Sequence, residues 1–224
     1  MERIKCFWLE PTLTIRPWLR RYLPPRKDRL DTCSHPANHG YHNAMFLLPD
    51  ITDCKFRDEV HGNTTYPNQL DLKDILLRYE PPRTDPRWPT DCPCGRYHFT
   101  EDDEWQFFVR NLYRRADTGE IMTLDDAPAG AMFDASYLHD QPGWCGPDGR
   151  SIHVVLPNGN KWCIDSRCSN CTRKDDDVHK CWVRHGEPPE LTVDKNGNTC
   201  AAGAGSILSG DYHGFLRNGF LEQC

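Results

Sequence analysis

Cysteine and histidine side chains crowd together at one place in the sequence. Cys168, Cys171, His179 and Cys181 lie within 14 residues. Two thiolates separated by two residues reach one ion from a single tight loop, and zinc in proteins is bound by four sulfur or imidazole ligands. The spacing therefore predicts a structural zinc site with these four residues as its ligands.

Two further cysteines are reserve ligands for this site. Cys163 precedes the cluster directly, and Cys200 belongs to the neighbouring predicted hairpin. A disulfide between two of the clustered cysteines, with a solvated histidine, is the alternative, and free thiols are a third reading. Clustered cysteines in a reducing compartment are more often metal ligands than disulfides.

A second group of cysteines lies near the middle of the chain. Cys92-Pro-Cys94-Gly95 resembles a zinc-ribbon knuckle, but only one residue separates its cysteines where a knuckle has two. The other ligands must come from a distance, and the nearest similar pair upstream is Cys33 and His35. We therefore expect a possible second site made of Cys33, His35, Cys92 and Cys94. A Pro-rigid turn with exposed thiols is the alternative, and the histidines that compete for a place in the site are His39, His42 and His98.

The remaining four of the twelve cysteines have no ligand-like neighbours; they are Cys6, Cys54, Cys145 and Cys224. Cys6, beside Phe7 and Trp8, is expected to be a small buried hydrophobe. Cys224 is the thiol best suited to crosslink a partner subunit.

Catalytic signatures are weak in this sequence. His185-Gly-Glu187 is similar to the His-x-Glu of zinc deaminases, but in that family a Cys-x-x-Cys pair follows the motif. Here Cys168 and Cys171 precede it. A Cys-rich set of four ligands is typical of a closed structural site, whereas catalytic zinc keeps an open position. An enzyme is therefore the alternative and not the first hypothesis.

Basic residues are concentrated at the start of the chain. The first 30 residues carry eight basic and three acidic side chains, a net charge of +5 in a chain whose total is −6. Trp8, Trp18 and Tyr22 are interleaved with arginines, a pattern that allows base stacking beside phosphate contacts. Nucleic-acid binding is the second alternative, and an acidic protein surface is the competing partner. The residues expected to make these contacts are Arg16, Arg20, Arg21, Arg26, Lys27 and Arg29.

The secondary-structure elements that position these ligands are expected to be short. Its 224 residues suit one large domain or two small ones, and a hydrophobic content of 38% with 18 prolines indicates a thin core and many turns. Asn158-Gly159 and Asn196-Gly197 each separate two apolar-alternating runs, the strongest short-range signal for a hairpin. Asp117-Thr-Gly119 predicts a third turn. No run approaches the ~18 apolar residues of a membrane helix, and residues 1–10 do not resemble a secretory signal.

Helices are also expected. The pattern predicts a short basic helix over 14–23, an amphipathic helix over 70–79 and a short helix over 101–108, with strands over 4–9 and 44–48. The predicted fold class is therefore α+β, a hairpin-rich antiparallel sheet with short helices and one or two zinc-clipped loops. The Pro-rich run at 81–89 suggests a boundary between segments 1–90 and 91–224, unless the chain forms one continuous domain.

About half the chain resembles uncharacterised proteins encoded in tailed-bacteriophage genomes. The resemblance is carried by residues 5–11 (KCFWLEP), 40–44 (GYHNA), 164–172 (IDSRCSNCT), 179–189 (HKCWVRHGEPP), 191–197 (LTVDKNG) and 213–219 (HGFLRNG). It implies a source and no activity. Together with the clusters it leads us to expect a zinc-stabilised structural or protein-binding component of a virion or host-takeover complex, located in the host cytoplasm or the virion.

Overall fold

The computed structural model describes residues 3–23, 33–35, 40–52, 85–100, 106–141, 143–168, 170–176, 179–195, 200 and 206–224. Within these residues the chain is built of strands and turns, and the one helical element is the 3-10 turn Ser136–Leu138. The predicted α+β class is therefore wrong, because the described chain is nearly all β. No helix in this part of the chain is long and apolar enough to cross a bilayer.

The structure contains thirteen strands in its described residues. They are Arg3–Lys5 (β1), Phe7–Leu23 (β2), His42–Leu47 (β3), Gln106–Arg115 (β4), Ile121–Thr123 (β5), Ala131–Asp134 (β6), Ile152–Val155 (β7), Lys161–Cys163 (β8), Val183–His185 (β9), Thr192–Asp194 (β10), Ile207–Ser209 (β11), Tyr212–Arg217 (β12) and Phe220–Gln223 (β13).

The helix predicted over 14–23 is wrong, since these residues form the second half of β2. Ile15, Leu19 and Arg21 are buried, while Arg16 and Trp18 between them are half-buried. This burial repeats every two residues, which is the period of a strand and not of a helix. The helix predicted over 101–108 is also wrong where it is described, because β4 begins at Gln106. The helix predicted over 70–79 lies outside the described residues.

The chain divides into two compact units, and β2 and β4 each contribute residues to both. Unit 1 comprises residues 1–12, 58–65 and 112–224, and unit 2 comprises residues 13–57 and 66–111.

Unit 1 contains an antiparallel sheet in the order β1-β13-β12-β11, the pair β10-β9, and the antiparallel run β6-β7-β8. Asn158-Gly159 forms the predicted hairpin between β7 and β8, with Gly159 at a φ of 82°. Gly119 forms the turn between β4 and β5 at a φ of 78°. Asn196 and Gly197 lie outside the described residues, and the strand before them, β10, pairs with β9.

The main core of unit 1 extends up to the predicted metal ligands. Met132, Ile152 and Ile164 are fully buried in it, and so is Cys181. Trp182 packs in the same core and meets the Trp162 ring edge-on, with centroids 5.4 Å apart. Cys171 and Cys181 are therefore part of the packed interior of unit 1.

Unit 2 is organised around the antiparallel pair of β2 and β3, with Trp18 opposite Leu47 and Leu23 opposite His42. One small core holds Leu19, Phe46 and Leu48. A separate buried cluster contains Cys33, Ala44, Cys92 and Phe99. Unit 2 thus buries two of the predicted cysteine ligands next to the start of β3.

Candidate metal centres

The described residues contain two groups of cysteine and histidine side chains that could hold a metal ion. The first, the C-terminal centre, consists of Cys171, His179, Cys181 and Cys200 in unit 1. Its four donor atoms all lie within 4.8 Å of one another. Cys181 is fully buried, while Cys171 and His179 are 3% and 8% exposed.

Distances within the C-terminal centre match the edges of a tetrahedron. The Cys181 sulfur lies 3.8 Å from His179 Nε2 and 3.9 Å from the Cys200 sulfur. Two ligands bound about 2.3 Å from one ion at the tetrahedral angle are about 3.8 Å apart. A disulfide would bring two sulfurs to about 2.05 Å. The spacing therefore fits a shared ion and does not fit a disulfide.

Hydrogen bonds hold the loop that carries these donors. The Arg173 amide donates to the Cys171 sulfur at 3.4 Å, and the His179 amide donates to Asp176 Oδ1 at 3.1 Å. The Arg167 guanidinium donates to the carbonyls of Arg173, Lys174 and Asp176 across the loop. A single arginine thus links three carbonyl groups of the loop that carries the donors.

The structure brings together three residues of the predicted set, Cys171, His179 and Cys181, and places Cys200 as the fourth. Cys168 lies beside the group, where its amide donates to the Cys181 sulfur at 3.3 Å. Cys163 lies elsewhere, 3.7 Å from Ser151 Oγ and 3.8 Å from the Trp144 carbonyl oxygen.

Four residues of unit 2 form the second group, the N-terminal centre: Cys33, His42, Cys92 and Cys94. The sulfurs of Cys33 and Cys92 are 3.6 Å apart, and the Cys94 sulfur is 3.3 Å from His42 Nδ1. Cys33, His42 and Cys92 are buried and Cys94 is partly buried. The Cys92–Cys94 turn therefore lies beside two further donors, Cys33 and His42, that are distant in the sequence.

Local backbone geometry explains how Cys92 and Cys94 face one point across a single residue. The Gly95 amide donates to the Cys92 carbonyl at 2.8 Å, and Gly95 has a φ of 72°, in the left-handed region that glycine adopts freely. The Asn43 amide donates to the Cys92 sulfur at 3.4 Å. This last bond ties the knuckle to the start of β3, next to His42.

His42 occupies the place that the sequence analysis assigned to His35. It is the first residue of β3, opposite Leu23 of β2, and its ring stacks on Tyr97 with centroids 5.0 Å apart. His98, another candidate, is exposed and pairs with Asp91 at 2.7 Å, a contact that lowers the pKa of Asp91. His39 lies outside the described residues. Proximity in sequence favoured His35, whereas strand pairing selects His42.

Burial controls the protonation of both centres. Desolvation raises the pKa of Cys181 to about 12 and also raises the pKa of Cys92. Burial thus holds the protons on these two sulfurs more firmly than on an exposed cysteine, and a bound ion must displace them. The eleven described cysteines form no disulfide with one another. Nearby positive charge comes from Lys195, whose Nζ is 3.6 Å from the Cys200 sulfur.

The described members of the predicted basic set have different surroundings. Arg21 is 5% exposed, and its guanidinium lies 5.3 Å from the centre of the Phe99 ring, so it faces the core. Arg16 pairs with Asp50 at 2.8 Å, and Arg20 donates to Asn43 Oδ1 at 3.1 Å. Arg26, Lys27 and Arg29 lie outside the described residues.

We compared the whole chain with models of protein families, with curated proteins and with solved structures. None of the three comparisons found a match.

Proposed function

We propose that this protein is a structural or protein-binding component in which each of the two units is stabilised by one structural zinc ion. The observation that carries the proposal is that each unit has its own buried group of four cysteine and histidine donors. The resemblance to phage-encoded proteins is the reason to seek its partner in a virion or a host-takeover complex.

The donor sets favour zinc over other ions. Thiolate and imidazole are soft or borderline ligands that suit zinc, whereas calcium and magnesium require oxygen. Both groups consist of three cysteines and one histidine, with no carboxylate among the donors.

A structural role is better supported than a catalytic one. Catalytic zinc is bound by three protein ligands and keeps the fourth position for water or substrate. Four protein donors in each group would fill the tetrahedron. Asp176, an acidic residue of the same loop, accepts a hydrogen bond from the His179 amide at 3.1 Å. A zinc-dependent enzyme is therefore the less supported alternative.

Zinc would also compensate for the thin apolar core. Apparent binding free energies of about 10–16 kcal/mol for structural zinc become folding free energy when the unfolded chain lacks the site. The two centres lie in different units, so each ion would stabilise its own unit.

Elemental analysis combined with a thiol count tests this proposal. We expect two zinc ions per chain after purification without chelator, and thiol reagents should modify all twelve cysteines only after chelation and denaturation. Protein that is folded, free of metal and fully reactive toward thiol reagents would overturn the proposal. A low thiol count that persists after chelation and denaturation would indicate disulfides instead.

A second candidate function is binding of single-stranded nucleic acid by one face of β2 and β4. Trp18 and Phe108 stack with centroids 4.6 Å apart, and the Arg110 guanidinium lies 5.5 Å from the Trp18 ring centre. Arg16 and Arg20 lie two residues before and two residues after Trp18 along β2. Side chains two residues apart on a strand point to the same side, so all three share one face. Aromatic platforms flanked by arginine bind single strands by stacking and phosphate contact.

Substitution of one arginine tests whether this face binds nucleic acid. Arg110→Ala should weaken binding of a fluorescent oligo-dT measured by anisotropy, and should flatten the dependence of affinity on salt. Arg114→Ala is the matched control, because Arg114 lies on the same strand but pairs with Glu10 at 2.8 Å. Equal effects of the two substitutions, or no binding by the wild type at low salt, would exclude nucleic-acid binding by this face.

A further inference from the structure

A fifth potential metal ligand lies beside the four side chains of the C-terminal centre. The Cys181 sulfur is contacted by Cys171, His179 and Cys200, which complete the group of four. Cys168 is a fifth thiol beside this group of four: its amide donates to the Cys181 sulfur at 3.3 Å, and its side chain contacts those of Cys181 and Trp182. Structural zinc takes four ligands in a tetrahedron. One of the five must therefore remain outside the coordination sphere.

The origin of the donors in the chain divides them into two overlapping sets. Cys168, Cys171, His179 and Cys181 all belong to the loop between β8 and β9, so this loop carries four donors of its own. Cys200 comes from beyond β10. Three donors, Cys171, His179 and Cys181, are common to both sets, and the fourth place is filled either by Cys200 or by Cys168.

We propose that Cys168 is a reserve ligand that replaces Cys200 in the coordination sphere of the C-terminal centre. This inference rests on the proposed metal site. Exchange of one cysteine for the other leaves three thiolates and one imidazole on the ion, so the charge of the centre does not change. Cys168 already adjoins Cys181 through both its amide and its sulfur. The exchange would therefore start from a contact that Cys168 already makes with one of the three shared ligands.

Such a reserve would make metal retention independent of the chemical state of the Cys200 thiol. The ion would stay bound when the Cys200 thiol is alkylated. Cys200 is partly buried, whereas Cys171 and Cys181 are 3% and 0% exposed. The more accessible of the bound thiols is thus the one for which the structure provides a substitute.

Metal content of three variants tests the exchange. Cys200→Ser and Cys168→Ser should each retain two zinc ions per chain, because either cysteine can complete the set. The double variant should lose one ion and keep the ion of the N-terminal centre. Retention of only one ion by Cys200→Ser would overturn the exchange, as would retention of two ions by the double variant. Absence of metal from the wild type would instead contradict the proposed function.

Alkylation of the metal-loaded wild type provides a second test that needs no variant to fold. Mass spectrometry after brief treatment with iodoacetamide should show Cys168 modified ahead of Cys171 and Cys181, with two zinc ions still bound. Exposed Cys224 is the positive control and buried Cys6 the negative control. Protection of Cys168 equal to that of Cys181 would overturn its assignment as a reserve ligand.

Discussion

Cys181→Ser is expected to remove the metal from the C-terminal centre. Unit 1 should then be unfolded already at 25 °C and show no cooperative thermal transition. Cys181 is fully buried, and its sulfur is the common neighbour of the other donors. Structural zinc contributes about 10–16 kcal/mol in small fingers, which is comparable to the ~5–15 kcal/mol stability of a whole domain. Near-ultraviolet circular dichroism during thermal unfolding measures the loss, since Trp182 and Trp162 pack beside the centre.

Cys6→Ser is the matched control for this substitution. Cys6 lies in the same core and is 2% exposed, but it belongs to neither metal group. Burial of one hydroxyl without a strong partner costs about 1–3 kcal/mol, so this variant should retain both ions and a cooperative transition. Equal destabilisation by the two substitutions would show that Cys181 acts only as a core residue.

The second large effect is expected from Asp165→Asn, which breaks a buried ion pair at the base of the metal loop. The Asp165 carboxylate lies 2.9 Å from Arg184 Nε and accepts from the Ile152 amide at 3.0 Å. The two side chains are 5% and 9% exposed. Removal of one partner from a buried pair leaves the other charge uncompensated and typically costs about 3–5 kcal/mol. We expect a loss of about 3 kcal/mol, because Asp148 still pairs with Arg184.

This pair also positions the metal ligands. Asp165 precedes Cys168 and Arg184 follows Cys181, so their contact closes the two ends of the loop that carries the donors. Asp165→Asn should therefore release zinc to a chelator faster than the wild type, in addition to lowering the free energy of unfolding in urea. Faster release would not follow from a purely global loss of core packing that left the loop closed.

Glu187→Gln is the control for Asp165→Asn. Glu187 neutralises an arginine of the same region, Arg150, at 2.7 Å, but its side chain is 80% exposed. Exposed pairs contribute about 0–1 kcal/mol, so this variant should unfold at nearly the wild-type urea concentration and release zinc at the wild-type rate. A comparable loss in both variants would contradict the role assigned to burial.

Burial also explains why the Asp165–Arg184 pair does not stabilise the fold in proportion to its short distance. Desolvation raises the pKa of Asp165 even though Arg184 lies beside it. Each charge is tolerated because the other compensates it, and replacement of both is therefore less costly than replacement of one. The double variant Asp165→Asn with Arg184→Gln should accordingly lose less than the sum of its two single variants.

The prediction of helix over 14–23 shows where sequence patterns misled us. A basic, proline-containing run suggested an exposed helix, yet Ile15, Leu19 and Arg21 face a core on alternate positions of β2. The buried arginine broke the expected pattern, because its aliphatic stem and its contact with the Phe99 ring make it a core residue. Phe99 is 78 residues away in the sequence, so only the fold brings its ring to Arg21.

The sequence by itself determined the donors that are close to one another along the chain. Cys171, His179 and Cys181 share one loop, and Cys92 and Cys94 share one turn, because a few covalent bonds keep such residues within reach of one ion. The sequence left the other members of each group open, and tertiary structure selected among its candidates: Cys200, a reserve ligand, and His42, one of the competing histidines. The pairing of β2 with β3 places His42 at the second centre. Strand register depends on contacts between distant residues, and no local spacing encodes it.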